Sequence, residues 1–99
     1  MASNKSIGFI GTGVMGGRMC RNLAIKSGAS IHAFDIDENK TAALAKFGVK
    51  SATSIAALVE TADIVMMCLP SEQEVRAVCS DNGGILDYVR PGQTIVDMT

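Results

Sequence analysis

The glycines Gly11, Gly13, Gly16 and Gly17 crowd one short stretch, and the first three give the spacing GxGxxG over Gly11-Thr12-Gly13-Val14-Met15-Gly16. That spacing suits a turn that cradles a pyrophosphate. Gly11 would allow the tight turn, Gly13 would remove a side chain that keeps phosphate off the backbone, and Gly16 would let a helix lie close to a strand. A helix beginning here offers free amides and a partial positive charge to an anion without needing a lysine. Asp35 follows Gly16 by 19 positions, the interval at which dinucleotide-binding units place an acid for the adenosine ribose. Its charge would repel the 2′-phosphate of NADP, and Ile36 stands where an NADP site would want an arginine, so NAD is the expected cofactor. The plainer reading is a glycine turn that binds nothing, with Asp35 as a surface acid or a helix cap; Asp37 is expected to cap the next helix.

These residues need elements to hold them. Ile7-Gly8-Phe9-Ile10 reads as a buried strand, and apolar residues from Val14 through Met15, Met19 and Leu23 recur at helical spacing up to the stop at Gly28. This context separates the turn from a kinase glycine loop, which enters a second strand, and no GxxxxGK[ST] run occurs. Ser30 to Phe34 predicts a second strand ending in the acids Asp35, Asp37 and Glu38, and Glu38 to Phe47 a helix ended by Gly48. A short third strand over Val49 to Ala52 and a helix from a Ser54 cap through Glu60 follow. The apolar run from Ile64 to Leu69, closed by Pro70, is the pattern of a central parallel strand. Ser71-Glu72-Gln73-Glu74 fits a capping box for a helix to about Cys79. After the turn Asp81-Asn82-Gly83-Gly84, a short helix to about Val89 and a strand from Thr94 to Met98 complete the series. Strands alternating with helices imply one α/β domain with a parallel sheet and right-handed crossovers.

Composition narrows the classes. A chain of 99 residues is the length of one small domain, and 47% hydrophobic residues support a packed core. A net charge of -1 with 4% aromatic residues lacks both the basic footprint and the stacking platform of a nucleic-acid binder. The polar start and the absence of a long apolar run predict neither a secretory signal nor a membrane span, hence a soluble chain with no membrane partner. Cys20, Cys68 and Cys79 are widely spaced without CxxC pairs, so they read as small hydrophobes in a reducing, cytoplasmic setting. His32 lacks partners at metal-ligand spacing and is expected to be structural, with no metal site. The six methionines are expected to fill the core, with Met15 alone having a functional case through its place in the glycine turn. Lys5, Lys26, Lys40, Lys46 and Lys50 are all expected away from the strand ends, which leaves no candidate base.

The runs Gly8 to Gly16, Asp35, Met67-Cys68-Leu69-Pro70, Gly83-Gly84-Ile85-Leu86, Pro91-Gly92 and Val96-Asp97-Met98-Thr99 together resemble the beta-hydroxyacid dehydrogenases, the family of 3-hydroxyisobutyrate dehydrogenase and tartronate semialdehyde reductase. The likeness runs from Ile7 to Thr99. It implies a Rossmann-type sheet, incomplete at about five strands, with residues 1–99 forming the N-terminal part of a dinucleotide-binding domain. Leu69 and Pro70 would lie beside NAD, and Thr99 would stand in the substrate loop, where the family has the first serine of D-x-S-[ST]. The resemblance further implies hydride transfer between NAD and a short 3-hydroxy carboxylic acid or its semialdehyde, in a homo-oligomeric enzyme of the cytoplasm or an organelle's matrix. The family's catalytic lysine and helical substrate domain lie beyond these residues, so the chain alone is expected to be inactive. A non-catalytic dinucleotide-binding or assembly module would read identically here. The related 6-phosphogluconate dehydrogenase would carry an alanine at Gly13 and NADP features after the second strand, whereas this chain has Gly13 and Asp35.

Overall fold

A computed structural model describes residues 5–80 and 84–98. Strands β1 (Ser6–Ile10), β2 (Ser30–Phe34), β3 (Lys50–Ser51), β4 (Ile64–Met67) and β5 (Thr94–Asp97) form one sheet in the order β3-β2-β1-β4-β5. Every neighbouring pair is parallel. Helices α1 (Val14–Lys26), α2 (Glu38–Ala42), α3 (Ile55–Thr61), α4 (Glu72–Ser80) and α5 (Ile85–Tyr88) make the connections. No helix among the described residues is long and apolar enough to cross a membrane.

Alternation along the central strands divides the core into two layers. Ile7 and Phe9 of β1 join Ile31 and Ala33 of β2 on one face, where Cys20, Met19 and Leu23 of α1 cover them with Leu44 and Val49. Ile10, Val65 and Met67 point to the other face and meet Leu58 and Val59 of α3, Val75 and Val78 of α4, and Ile85 of α5. Helices therefore cover both faces, as the strand-helix alternation implied. The connection from β1 leads to β2 on one side, while β4 pairs with β1 on the other. Between these diverging connections the carboxyl ends of β1 and β4 open a crevice, the place where such sheets bind ligands.

The segment expected as one helix from Glu38 to Phe47 is divided: α2 ends at Ala42, and a single 3-10 turn spans Ala45–Phe47. The amides of Leu44, Phe47 and Gly48 each reach back three residues, to Thr41, Leu44 and Ala45. Three-residue spacing keeps Leu44 and Phe47 over the same core layer. Gly48 then turns the chain at φ +88 toward β3, which pairs only through Lys50 and Ser51.

A clasp near the far end of the chain had no sequence signal. The Gln93 amide donates to the carbonyls of Val59 at 2.6 Å and Ala62 at 2.7 Å, while Arg90 donates from Nη2 to the Glu60 carbonyl at 2.9 Å. These side chains serve the last carbonyls of α3, which a helix leaves without partners of its own. Gln93→Ala should lower unfolding stability by about 1 to 3 kcal/mol in urea denaturation, because partly buried acceptors lose their donors.

Cys20 is fully buried in the layer beneath α1, and burial pushes its thiol up to about 11 from 9.0. The folded state therefore favours the neutral thiol. That contribution is complete below pH 9 and is lost as pH rises through about 11. Across that window the chain should lose about 2 to 3 kcal/mol more stability than Cys20→Ala does, read from denaturation at successive pH values.

Candidate functional site

The site begins where β1 ends. Gly11 turns the chain at φ +93, and its amide donates to the Phe34 carbonyl at 2.9 Å, which ties the turn to β2. A Cβ on Gly11 would lie 2.3 Å from the Cys68 carbonyl oxygen, and one on Gly16 would lie 2.0 Å from the Gly11 carbonyl oxygen. The protein itself thus requires glycine at both positions. Gly13 is different: it has φ -69, and a Cβ there would meet nothing within 4 Å. Its missing side chain clears space outside the protein, above the first turn of α1.

The first bond of α1 runs from the Gly17 amide to the Gly13 carbonyl at 2.7 Å, and no side chain caps the helix. The amides of Val14, Met15 and Gly16 precede that bond and have no carbonyl within the helix to meet. Three donors at the positive end of a 13-residue helix thus border the space that Gly13 leaves.

Asp35 is held at the end of β2 from two directions. The Thr12 amide donates to Oδ2 at 2.8 Å, with the Thr12 hydroxyl at 3.4 Å, and the Asp37 amide donates to Oδ1 at 2.9 Å. A carboxylate can accept about four hydrogen bonds, so capacity remains for hydroxyl groups of a ligand. Asp37 caps α2 by accepting from the Asn39 amide at 3.0 Å, as expected from the sequence. Asp35 does not share that task.

These parts line one cleft of about 610 Å³. The glycine turn supplies Gly11, Gly13, Val14, Met15 and Gly16; the end of β2 supplies Asp35 and Ile36; the end of β4 supplies Cys68, Leu69 and Pro70. Val14, Met15 and Ile36 are 80%, 67% and 93% exposed, so the rim is apolar and open. Thr12 is not in the lining: it is buried behind the wall with its amide engaged by Asp35. Thr99 lies outside the described residues, as do Asp81, Asn82 and Gly83.

Among the lining residues that escaped the sequence reading are Lys40 and Glu74. Lys40 reaches the cleft, against the expectation that every lysine lies away from the strand ends. The helix that carries it starts one residue after Asp37, so its first turn stays beside the end of β2. Glu74 enters from α4, where the Ser71 hydroxyl donates to its carboxylate and lowers its pKa from the ordinary carboxylate range. The Ser-x-x-Glu spacing marked Glu74 as a helix-start residue but carried no sign that this helix borders the cleft. His32 is half-buried within β2, its ring 3.5 Å from the Ser30 hydroxyl, and does not line the cleft. Among the described residues, no cluster of three or more His, Cys, Asp or Glu could hold a metal ion.

Unpaired amides beside a bare glycine, a fixed carboxylate beyond them and apolar walls on either side match an anion, a diol and flat rings in sequence. The fold and cleft define a dinucleotide-binding domain of the Rossmann type. Residues 6–99 match the family described as the NAD-binding domain of 6-phosphogluconate dehydrogenase, and the chain belongs to that family. A probable mitochondrial 3-hydroxyisobutyrate dehydrogenase of Dictyostelium discoideum is 38% identical over 96 residues, covering 97% of this chain and 30% of that protein. The structure of Mycobacterium tuberculosis 3-hydroxyisobutyrate dehydrogenase with L-serine superposes with a TM-score of 0.84 at 29% identity, over 96% of this chain and 31% of that one. Psf3 in complex with NADP+ and 2-OPP gives a TM-score of 0.86 at 29% identity, over 93% of this chain and 32% of its own. The chain thus spans about a third of the length of these relatives. It is a domain of this NAD-binding family, similar over its length to part of the hydroxyacid dehydrogenases.

Gly13 and Gly16 should respond differently to an added methyl group. Gly13→Ala should cost about 1 kcal/mol of stability or less, since its Cβ meets nothing, yet weaken dinucleotide binding by about tenfold or more. Gly16→Ala should fail in both respects, because the methyl group collides with backbone. Thermal unfolding paired with nucleotide titration checks the contrast.

Proposed function

We propose that the chain is the NAD-binding part of an oxidoreductase that moves hydride between a nicotinamide cofactor and a short 3-hydroxy carboxylic acid or its semialdehyde. The observation that carries this reading is Gly13: neither its backbone angles nor its neighbours require glycine, but a phosphate seated on the amides beyond it does. In this reading the amides of Val14, Met15 and Gly16 hold the pyrophosphate, and Thr12 acts indirectly by fixing Asp35. Asp35 accepts from the adenosine ribose hydroxyls, Ile36 meets the adenine side, and Leu69 and Pro70 flank the nicotinamide side. When bound, the cofactor supplies the hydride chemistry, and the chain supplies position and field.

NAD is preferred over NADP in this proposal because an added 2′-phosphate would face the Asp35 carboxylate. The hydroxy acid is proposed from the names of the relatives and from the Val96-Asp97-Met98-Thr99 run, with Thr99 offering its hydroxyl to the substrate. Lys40 borders the cleft at its β2 end, the adenosine side, and so is not the base in this assignment. A lysine base and a helical substrate domain are assigned to the length of the relatives that this chain does not span. The same proposal gives the whole enzyme a homo-oligomeric state in the cytoplasm or an organelle's matrix, where free Cys20, Cys68 and Cys79 suit a reducing medium.

Titration of the chain with both cofactors should show NAD+ binding about tenfold tighter than NADP+, with the gap narrowed by Asp35→Asn, since a charge-charge contact in partial solvent is on the order of 1 to a few kcal/mol. Tighter NADP+ binding by the unsubstituted chain would refute the role of Asp35. The same preparation, given NAD+ and 3-hydroxyisobutyrate, should form no NADH; measurable turnover would overturn the division of labour.

A further inference from the structure

Outside the cleft, the solvent side of α1 carries a cluster that neither the core nor the site uses. Arg18, Arg21 and Ile25 recur at spacings of three and four and so share one face of the helix, and all three are exposed, Ile25 by 59%. The 3-10 turn after α2 packs beside α1 and adds Lys46 and Phe47 to this surface. The Arg21 guanidinium stands 5.6 Å from the centroid of the half-buried Phe47 ring, and the Lys46 ammonium stands 5.3 Å from it. Among the described residues, none of these three cations has a carboxylate within 4.0 Å, whereas Arg76 on α4 is paired with Glu72 at 2.8 Å.

We propose that this surface docks an acidic protein segment, with Arg18, Arg21 and Lys46 pairing with its carboxylates and Ile25 meeting an apolar side chain on it. The Phe47 ring holds Arg21 and Lys46 in place before the partner arrives, which lowers the entropic cost of pairing. Other occupants match the surface less well. A second copy placed on the same face by a twofold axis would set cations against cations. A nucleic-acid strand offers phosphates but no apolar side chain for Ile25, and a net charge of -1 disfavours a polyanion that runs on past the cluster. A membrane surface needs a broad apolar face, yet Met19, Cys20, Leu23 and Ala24 of α1 are turned onto the sheet.

NMR shift titration of the chain at low salt tests this, with a short synthetic peptide of glutamates and leucines as the probe. The amides of residues 18–25, 46 and 47 should shift, and those of the glycine turn should not. Arg21→Glu and Lys46→Glu should each weaken the peptide about fivefold to tenfold, because reversal turns an exposed attraction into repulsion. Lys26→Glu makes the same change of net charge on the side of α1 beside Met66, and should stay within about twofold. Replacing the leucines of the peptide by alanines should weaken it about threefold on the unsubstituted chain but not on Ile25→Ser, whose apolar contact is already gone. If Arg21→Glu unfolds the chain, Arg21→Gln and the alanine peptide carry the same test. Equal losses for Lys26→Glu and Arg21→Glu would overturn the proposal, as would shifts confined to the glycine turn. So would an oligothymidylate, or vesicles of phosphatidylglycerol and phosphatidylcholine, binding as tightly as the peptide.

Discussion

The site depends on one close approach: the first turn of α1 lies against the end of β1 with only hydrogen where a Cβ would strike the Gly11 carbonyl. That contact fixes the direction of the helix, so its unpaired amides open at the carboxyl edge of the sheet. The left-handed turn at Gly11 makes the approach possible, and the Cys68 carbonyl closes it from the β4 side. Any side chain at Gly11 or Gly16 would push helix and strand apart and move the amides away from the crevice. The row of amides at the start of α1 is therefore placed by backbone packing, with no charged side chain in the turn.

Asp35 extends this frame to the neighbouring strand. Its carboxylate accepts from Thr12 in the glycine turn and from Asp37 at the start of α2, so it links the ends of β1 and β2. In the ribose-binding role proposed for Asp35 this restraint favours affinity, because freezing a free side chain on binding is costly. The hydrogen bonds that restrain Asp35 are part of the fold. Thr12, expected as a direct contact, lies buried behind the wall with its amide on Asp35.

Much of this was legible from local pattern. The buried strands β1 and β4, the helix between Gly13 and Gly28, and the acidic end of β2 follow from apolar runs, helical spacing and glycine stops, which are local properties. The GxGxxG spacing located the turn because its outer glycines answer constraints that the chain makes with itself. What the sequence concealed involves residues distant along the chain. Gln93 and Arg90 cap carbonyls about thirty positions earlier, and no local pattern announces such a partner. Lys40 and Glu74 reach the cleft only because α2 and α4 start at strand ends, a fact of topology. The break between α2 and the 3-10 turn was hidden for another reason: spacing of three fits both helix types, and packing on the sheet decides between them.

The residues that the fold leaves unexplained are also informative. A sequence that specifies a fold tends to agree with itself at every level, and violations concentrate where function requires them. Here Gly13 makes no side-chain cap and no packing contact, and Val14, Met15 and Ile36 present apolar side chains to water. Each departure considered alone is ordinary, because single exposed hydrophobes are common. Together they border one cleft, alongside amides without partners and a carboxylate already held in place. In the proposed cofactor reading, a flat, partly apolar ligand bearing a diphosphate answers all of these departures at once. The cleft is thus better understood as the complement of a ligand than as an imperfection in the fold.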